Sequence, residues 1–131
     1  MIVADSSAWI ELLRRTGSPV ASRLWTAVEA GEAAVTEVVV AEVLSGIAGE
    51  RDLRSVHALL LDCPLLRLEG LLDFEEAAAL RRACRRRGEA IRSIADCLVA
   101  VPAIAAGAPV LHADSDFDVL ARHTPLQVVA L

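Results

Sequence analysis

The sequence contains no lysine; all 13 of its basic residues are arginine. That absence excludes a lysine phosphate clamp of the P-loop kind, Schiff-base chemistry and phosphoacceptor sites completed by a lysine. Tyrosine is also missing and aromatic residues make up only 3%, which argues against base-stacking platforms of the single-strand-binding type. Cys63, Cys84 and Cys97 are an odd number without CxxC spacing, so neither a disulfide framework nor a zinc site is expected. Basic charge is not in excess: 13 Arg face 18 Asp and Glu, for a formal net charge of -5. Nucleic-acid binding is therefore not advertised by composition. The longest uncharged stretch, Cys97 to Ala113, is broken by Pro102, Gly107 and Pro109 and is too short for a membrane span. Met1 to Ser7 carries no basic segment and meets a charge at Asp5, unlike a signal peptide. A cytoplasmic protein is the expectation.

What is present is apolar. Hydrophobic residues are 55% of 131 and mean hydropathy is +0.49, which excludes intrinsic disorder and predicts one domain over residues 1–131 with a real core. Short apolar runs at Met1–Asp5, Ala33–Thr36, Leu65–Leu68, Pro109–His112 and Leu126–Ala130 read as strands. Between them lie helical segments: Ala8–Arg15 after cap chemistry at Ser6 and Ser7, Pro19–Gly31, Glu37–Ala48 capped by Thr36, and Glu50–Asp62. Leu71–Arg87 stops at Gly88, Ser93–Gly107 carries Pro102 with a kink expected there, and Ser115–His123 is short. Strands alternating with helices predict a three-layer α/β/α domain around a mainly parallel sheet of 4–5 strands.

Certain carboxylates sit where charge is costly or where ligands bind. Asp5 ends the first strand and Asp114 follows the strand Pro109–His112, so both face the edge where open parallel sheets bind ligands. For either one alone, capping or turn formation is the simpler explanation. Glu42 lies in Val38–Leu44, apolar on every other position; buried there, an ionised carboxylate costs several kcal/mol unless compensated, and a narrow exposed stripe is the alternative. Asp96 repeats the pattern, although Ser93 and Asp96 also match a capping box. Asp116 and Asp118 flank Phe117 and fit first-turn acids. Converging carboxylates repel one another, and an all-oxygen cluster suits Mg²⁺ or Mn²⁺ rather than Zn²⁺.

Four blocks then resemble a known family: Ile2-Val3-Ala4-Asp5-Ser6-Ser7, Ala41-Glu42-Val43-Leu44, Ile94-Ala95-Asp96-Cys97-Leu98-Val99-Ala100, and Pro109-Val110-Leu111-His112-Ala113-Asp114-Ser115-Asp116-Phe117. In that order and spacing the chain is similar to the PIN-domain ribonucleases, and within them to the VapC toxins of toxin–antitoxin pairs. The resemblance implies a metal-dependent endoribonuclease whose catalytic, metal-binding acids fall on Asp5, Glu42, Asp96 and Asp114, with Asp116 as a secondary ligand. Ser7 would orient a carboxylate or a metal-held water. It also implies an RNA substrate such as transfer or ribosomal RNA, products with 5′-phosphate and 3′-hydroxyl ends, a cognate VapB-type antitoxin and a homodimer. His112 departs from the Thr or Ser of many relatives.

Without Asp5, Glu42, Asp96, Asp114 and Asp116 the rest of the chain is formally neutral. The arginines before Asp96 then read as phosphate contacts, Arg92 first and Arg86 second, while Arg81 and Arg82 suit a solvated helix face. Trp9, Trp25 and Leu59-Leu60-Leu61 are partner contacts or core. Two other readings stay open at this point: a non-catalytic PIN-type interaction module, and a structure-specific DNA nuclease, because such a metal site does not itself inspect the 2′-hydroxyl. A receiver-like domain lacks its lysine here, and a dehalogenase-type phosphatase would need Asp where Ser7 stands.

Overall fold

The computed structural model describes residues 1–131. Its elements follow in the order β1 (Ile2–Ala4), α1 (Ser6–Leu13), α2 (Pro19–Glu29), β2 (Ala33–Thr36), α3 (Glu37–Ser45), α4 (Glu50–Leu61), β3 (Leu65–Leu66), α5 (Leu71–Arg86), α6 (Ile94–Ala106), β4 (Val110–Leu111) and α7 (Asp116–His123). The four strands form one parallel sheet in the order β3-β2-β1-β4. Every residue of β1, β2 and β4 is buried. Since successive strand residues point to opposite faces, both faces must be covered by helices, which is the three-layer arrangement expected.

The segment Leu126–Ala130 does not form the fifth strand its composition suggested. It pairs only through a parallel bridge, Val110 with Val128, with backbone bonds joining Val110 to Gln127 and Val129. A two-residue β4 offers no longer ladder to extend.

The helix ends follow local chemistry. Thr36 caps α3 by accepting from the Val39 amide, and Ser93 caps α6 by accepting from Ala95. The cap of α1 is Asp5 rather than Ser6 or Ser7, its carboxylate accepting from the Ser7 amide. Helix α6 continues through Pro102 to Gly107, which closes it in the left-handed region at φ 63°, a conformation glycine adopts without a Cβ penalty. Pro102 therefore removes one amide donor without ending the helix.

Trp9, Phe117 and Leu24 are the largest fully buried side chains. Side chains of this type contribute roughly 1.5–3 kcal/mol each when taken from water. Trp9 and Leu60 are thus core, not partner contacts, whereas Trp25 and Leu61 are exposed. No helix is long and apolar enough to cross a membrane.

Candidate metal centre

Strand order puts the sheet's switch point between β1 and β4, because the chain leaves β1 toward β2 and returns to its other side as β4. A crevice opens at the carboxyl ends of strands at such a point. Asp5 follows β1 there, its amide bonded to the Leu111 carbonyl at 3.0 Å, and Asp114 follows β4. The N-terminal turn of α6 contributes Asp96, and that of α7 contributes Asp116. Carboxylate oxygens of Asp96, Asp114 and Asp116 all lie within 4.8 Å of one another.

Asp5 is 2% exposed and Asp96 6%. One oxygen of Asp5, Oδ2, accepts from the Ser7 hydroxyl at 2.6 Å and the Ser7 amide at 3.0 Å. Its other oxygen, Oδ1, is buried with no partner, and so is Oδ2 of Asp96. The capping box suggested for Ser93 and Asp96 is therefore only half made: Ser93 caps, but the Asp96 carboxylate does not turn back to bond it. Buried carboxylate oxygens without donors are costly. The orphaned oxygen of Asp96 lies in the group of three acids, and Asp5, outside that group, is near enough for its charge to act on Asp96; a cluster of this kind could hold a metal ion.

Electrostatics reflect the same crowding. Burial, followed by Asp114, Asp5, Asp116 and Glu42, pushes Asp96 up from 3.8 to about 7. Burial raises Asp5 too, with a Coulombic contribution from Asp114, against lowering by its bonds to Ser7 and Ser6. The like charges around Asp96 thus favour its neutral form, which a nearby cation would oppose.

Glu42 differs from the buried position considered for it. It is exposed on α3, where only Val39 and Val43 are buried, and its Oε1 accepts from the Ser6 hydroxyl at 3.2 Å. Its carboxyl is still raised, first by lost solvation and then by Asp5 and Asp114, so it belongs to the rim of the same field.

Arg92 does something the sequence did not suggest. Instead of standing free for substrate, its Nε and amide both donate to Asp116 Oδ2, at 3.2 and 3.1 Å, and its Nη2 to Asp114 Oδ1 at 3.2 Å. Arg81, rather than lying solvated, donates to the carbonyls of Ile91 and Arg92. Arg86 is exposed in the last turn of α5 and forms no ion pair or side-chain hydrogen bond. His112 also acquires a role: its Nδ1 accepts from the Asp114 amide at 3.2 Å, its Nε2 lies 3.3 Å from Asp118, and its ring packs 5.3 Å from that of Phe117. The imidazole thus shapes the loop that carries Asp114. The Arg92 contacts had no local signal, since they span 22 and 24 residues.

Comparison with known proteins agrees with this geometry. The family profile of the PIN domain matches residues 2–123. VapC ribonuclease Mb1587 of Mycobacterium bovis is 42% identical over 132 residues, covering 99% of this chain and 98% of the relative. Ribonuclease VapC11 of Mycobacterium tuberculosis matches to the same extent. Among solved structures, VapBC2 from Rickettsia felis, bound to a DNA fragment from its promoter, superposes with a TM-score of 0.75 at 17% identity, covering 98% of each chain. At that identity the superposition bears on the fold alone. The chain belongs to the PIN domain family and, within it, to the VapC ribonucleases.

Proposed function

We propose that this chain, folded as a single PIN domain, is a divalent-metal-dependent endoribonuclease that acts as the toxin of a toxin–antitoxin pair. The observation that carries the reading is the pair of orphaned, buried oxygens on Asp5 and Asp96, set among further acids at the sheet's switch point. Asp5, Asp96 and Asp114 would hold the ion, with Glu42 and Asp116 at its margins. An all-oxygen donor set favours Mg²⁺, with Mn²⁺ as its substitute. Bound there, such an ion supplies a water of lowered pKa and neutralises charge developing on the phosphodiester.

The protein's own groups do the positioning. Ser7 fixes one oxygen of Asp5 and leaves the other without a partner. His112 sets the Asp114 loop, and its Nδ1 is already occupied by an amide. His57 is exposed on α4 and His123 is paired with Glu89, so no histidine stands ready as general base. The reading requires none.

RNA, in the form of transfer or ribosomal RNA in the cytoplasm, is the substrate this reading favours, since the 42% identical relatives are named ribonucleases. A VapB-type antitoxin is the natural partner. A groove of about 730 Å³ lined by Leu12, Leu13, Trp25, Ile47, Val56 and Leu59 supports it as an apolar seat. Exposed Leu71, Leu72 and Phe74 at the start of α5 support a homodimer contact.

The test is cleavage by purified protein with defined RNA. Cutting is expected with added Mg²⁺, to stop with a chelator, to leave 5′-phosphate ends, and to be abolished in Asp5→Asn. Cleavage by Asp5→Asn at the wild-type rate, or cleavage of DNA in preference to RNA, would contradict the reading.

A further inference from the structure

Arg92 is the one cation that touches the acid cluster, and its backbone is built to stay there. The strap Gly88–Ser93 between α5 and α6 is fastened at four points. Glu89 bridges to Arg122 and His123 of α7, and Ile91 sits in the core at 2% exposure. Arg81 holds the carbonyls of Ile91 and Arg92, and the Arg92 amide bonds Asp116. The guanidinium, by contrast, reaches Asp114 and Asp116 from the solvent side, with 73% of its side chain exposed. A fixed backbone therefore delivers a solvent-exposed, permanently charged head.

The carboxylates it pairs with are two of the three whose oxygens lie within 4.8 Å of one another. A guanidinium and a divalent ion on those same groups would repel at close range. We propose, building on the ion-binding reading above, that Arg92 is a tethered counter-cation that holds Asp114 and Asp116 in the ion-free protein and competes with the incoming divalent ion for them. Ion loading then releases the guanidinium toward solvent, where a substrate phosphate would meet it. Arg92 is a positioning residue in this account, not a ligand.

The sign of one measurement separates this from a purely structural role. In Arg92→Gln the backbone bond to Asp116 survives while the competing charge is gone. Titration calorimetry with Mn²⁺ is expected to show binding about fivefold tighter than wild type, the scale set by two partly exposed ion pairs. Arg92→Lys, which keeps the charge, is expected to stay near the wild-type affinity. If Arg92 merely braced the acids, Arg92→Gln would bind Mn²⁺ more weakly; weaker or unchanged binding overturns the proposal. Absence of saturable Mn²⁺ uptake by the wild type would instead overturn the ion-binding reading itself, and this proposal with it.

Discussion

A single hydroxyl joins the ends of two strands: Ser7 Oγ donates to Asp5 Oδ2 at 2.6 Å and accepts from the Ala113 amide at 2.9 Å. Asp5 follows β1 and Ala113 follows β4, so this contact, beside the bond from the Asp5 amide to the Leu111 carbonyl, ties together the two loops that carry Asp5 and Asp114. It also leaves Asp5 Oδ1 as the buried oxygen without a partner.

Ser7→Ala is therefore expected to cost about 1 kcal/mol in stability, since the Ala113 amide loses its acceptor. The larger effect is expected on cleavage, roughly 10- to 100-fold, the usual cost of removing a group that orients a metal ligand. Urea unfolding and RNA cleavage on the same preparation check both. A stable variant with undiminished cleavage would refute the orienting role.

Phe117, fully buried between Asp116 and Asp118, anchors the first turn of α7. Phe117→Ala is expected to lose about 3–5 kcal/mol in urea unfolding, from lost burial and the cavity left behind. A loss under about 1 kcal/mol would mean that α7 is held in some other way.

The Glu89 clasp predicts a pH dependence of definite sign. Bonds from Arg122 and His123 hold Glu89 at about 2, below its ordinary 4.5. A depressed carboxyl contributes stability above its unfolded pKa and loses it as pH falls toward the folded one. The melting temperature of wild type should therefore exceed that of Glu89→Gln at pH 6, and the gap should narrow between pH 4.5 and pH 2. A gap that does not change with pH would refute the ion-pair account of the clasp.

Asp96 predicts the reverse. Its carboxyl is raised from 3.8 to about 7, so the ion-free folded protein keeps a proton that the unfolded chain has lost. Its contribution to stability falls as pH rises through that window. Asp96→Asn, which carries no charge, should melt higher than wild type above pH 7, by something on the order of 5 °C in chelator, with the gap closing toward pH 4. A lower melting temperature for Asp96→Asn at pH 8 would contradict the crowding of like charges.

The apolar runs at Ile2–Ala4 and Ala33–Thr36 were legible as buried strands because both sides of each residue pair had to be covered. The placement of Asp5 and Asp114 at the ends of neighbouring strands followed from the same pattern. Glu42 was harder, because an apolar helical run does not say which stripe faces inward; only Val39 and Val43, one turn apart, do so here. The attachment of Arg92 to Asp114 and Asp116 spans 22 and 24 residues and has no local signature. Leu126–Ala130 has strand composition, but its neighbour β4 is too short to pair with it beyond one bridge.

Direct ion binding tests the whole account most closely. Titrating Mn²⁺ into wild type, Asp5→Asn and Asp96→Asn under electron paramagnetic resonance should reveal a saturable site in wild type that Mg²⁺ competes away. In both variants, each still folded by circular dichroism, that site should be lost. Retention of the same Mn²⁺ affinity in either variant would mean that these carboxylates do not meet around an ion.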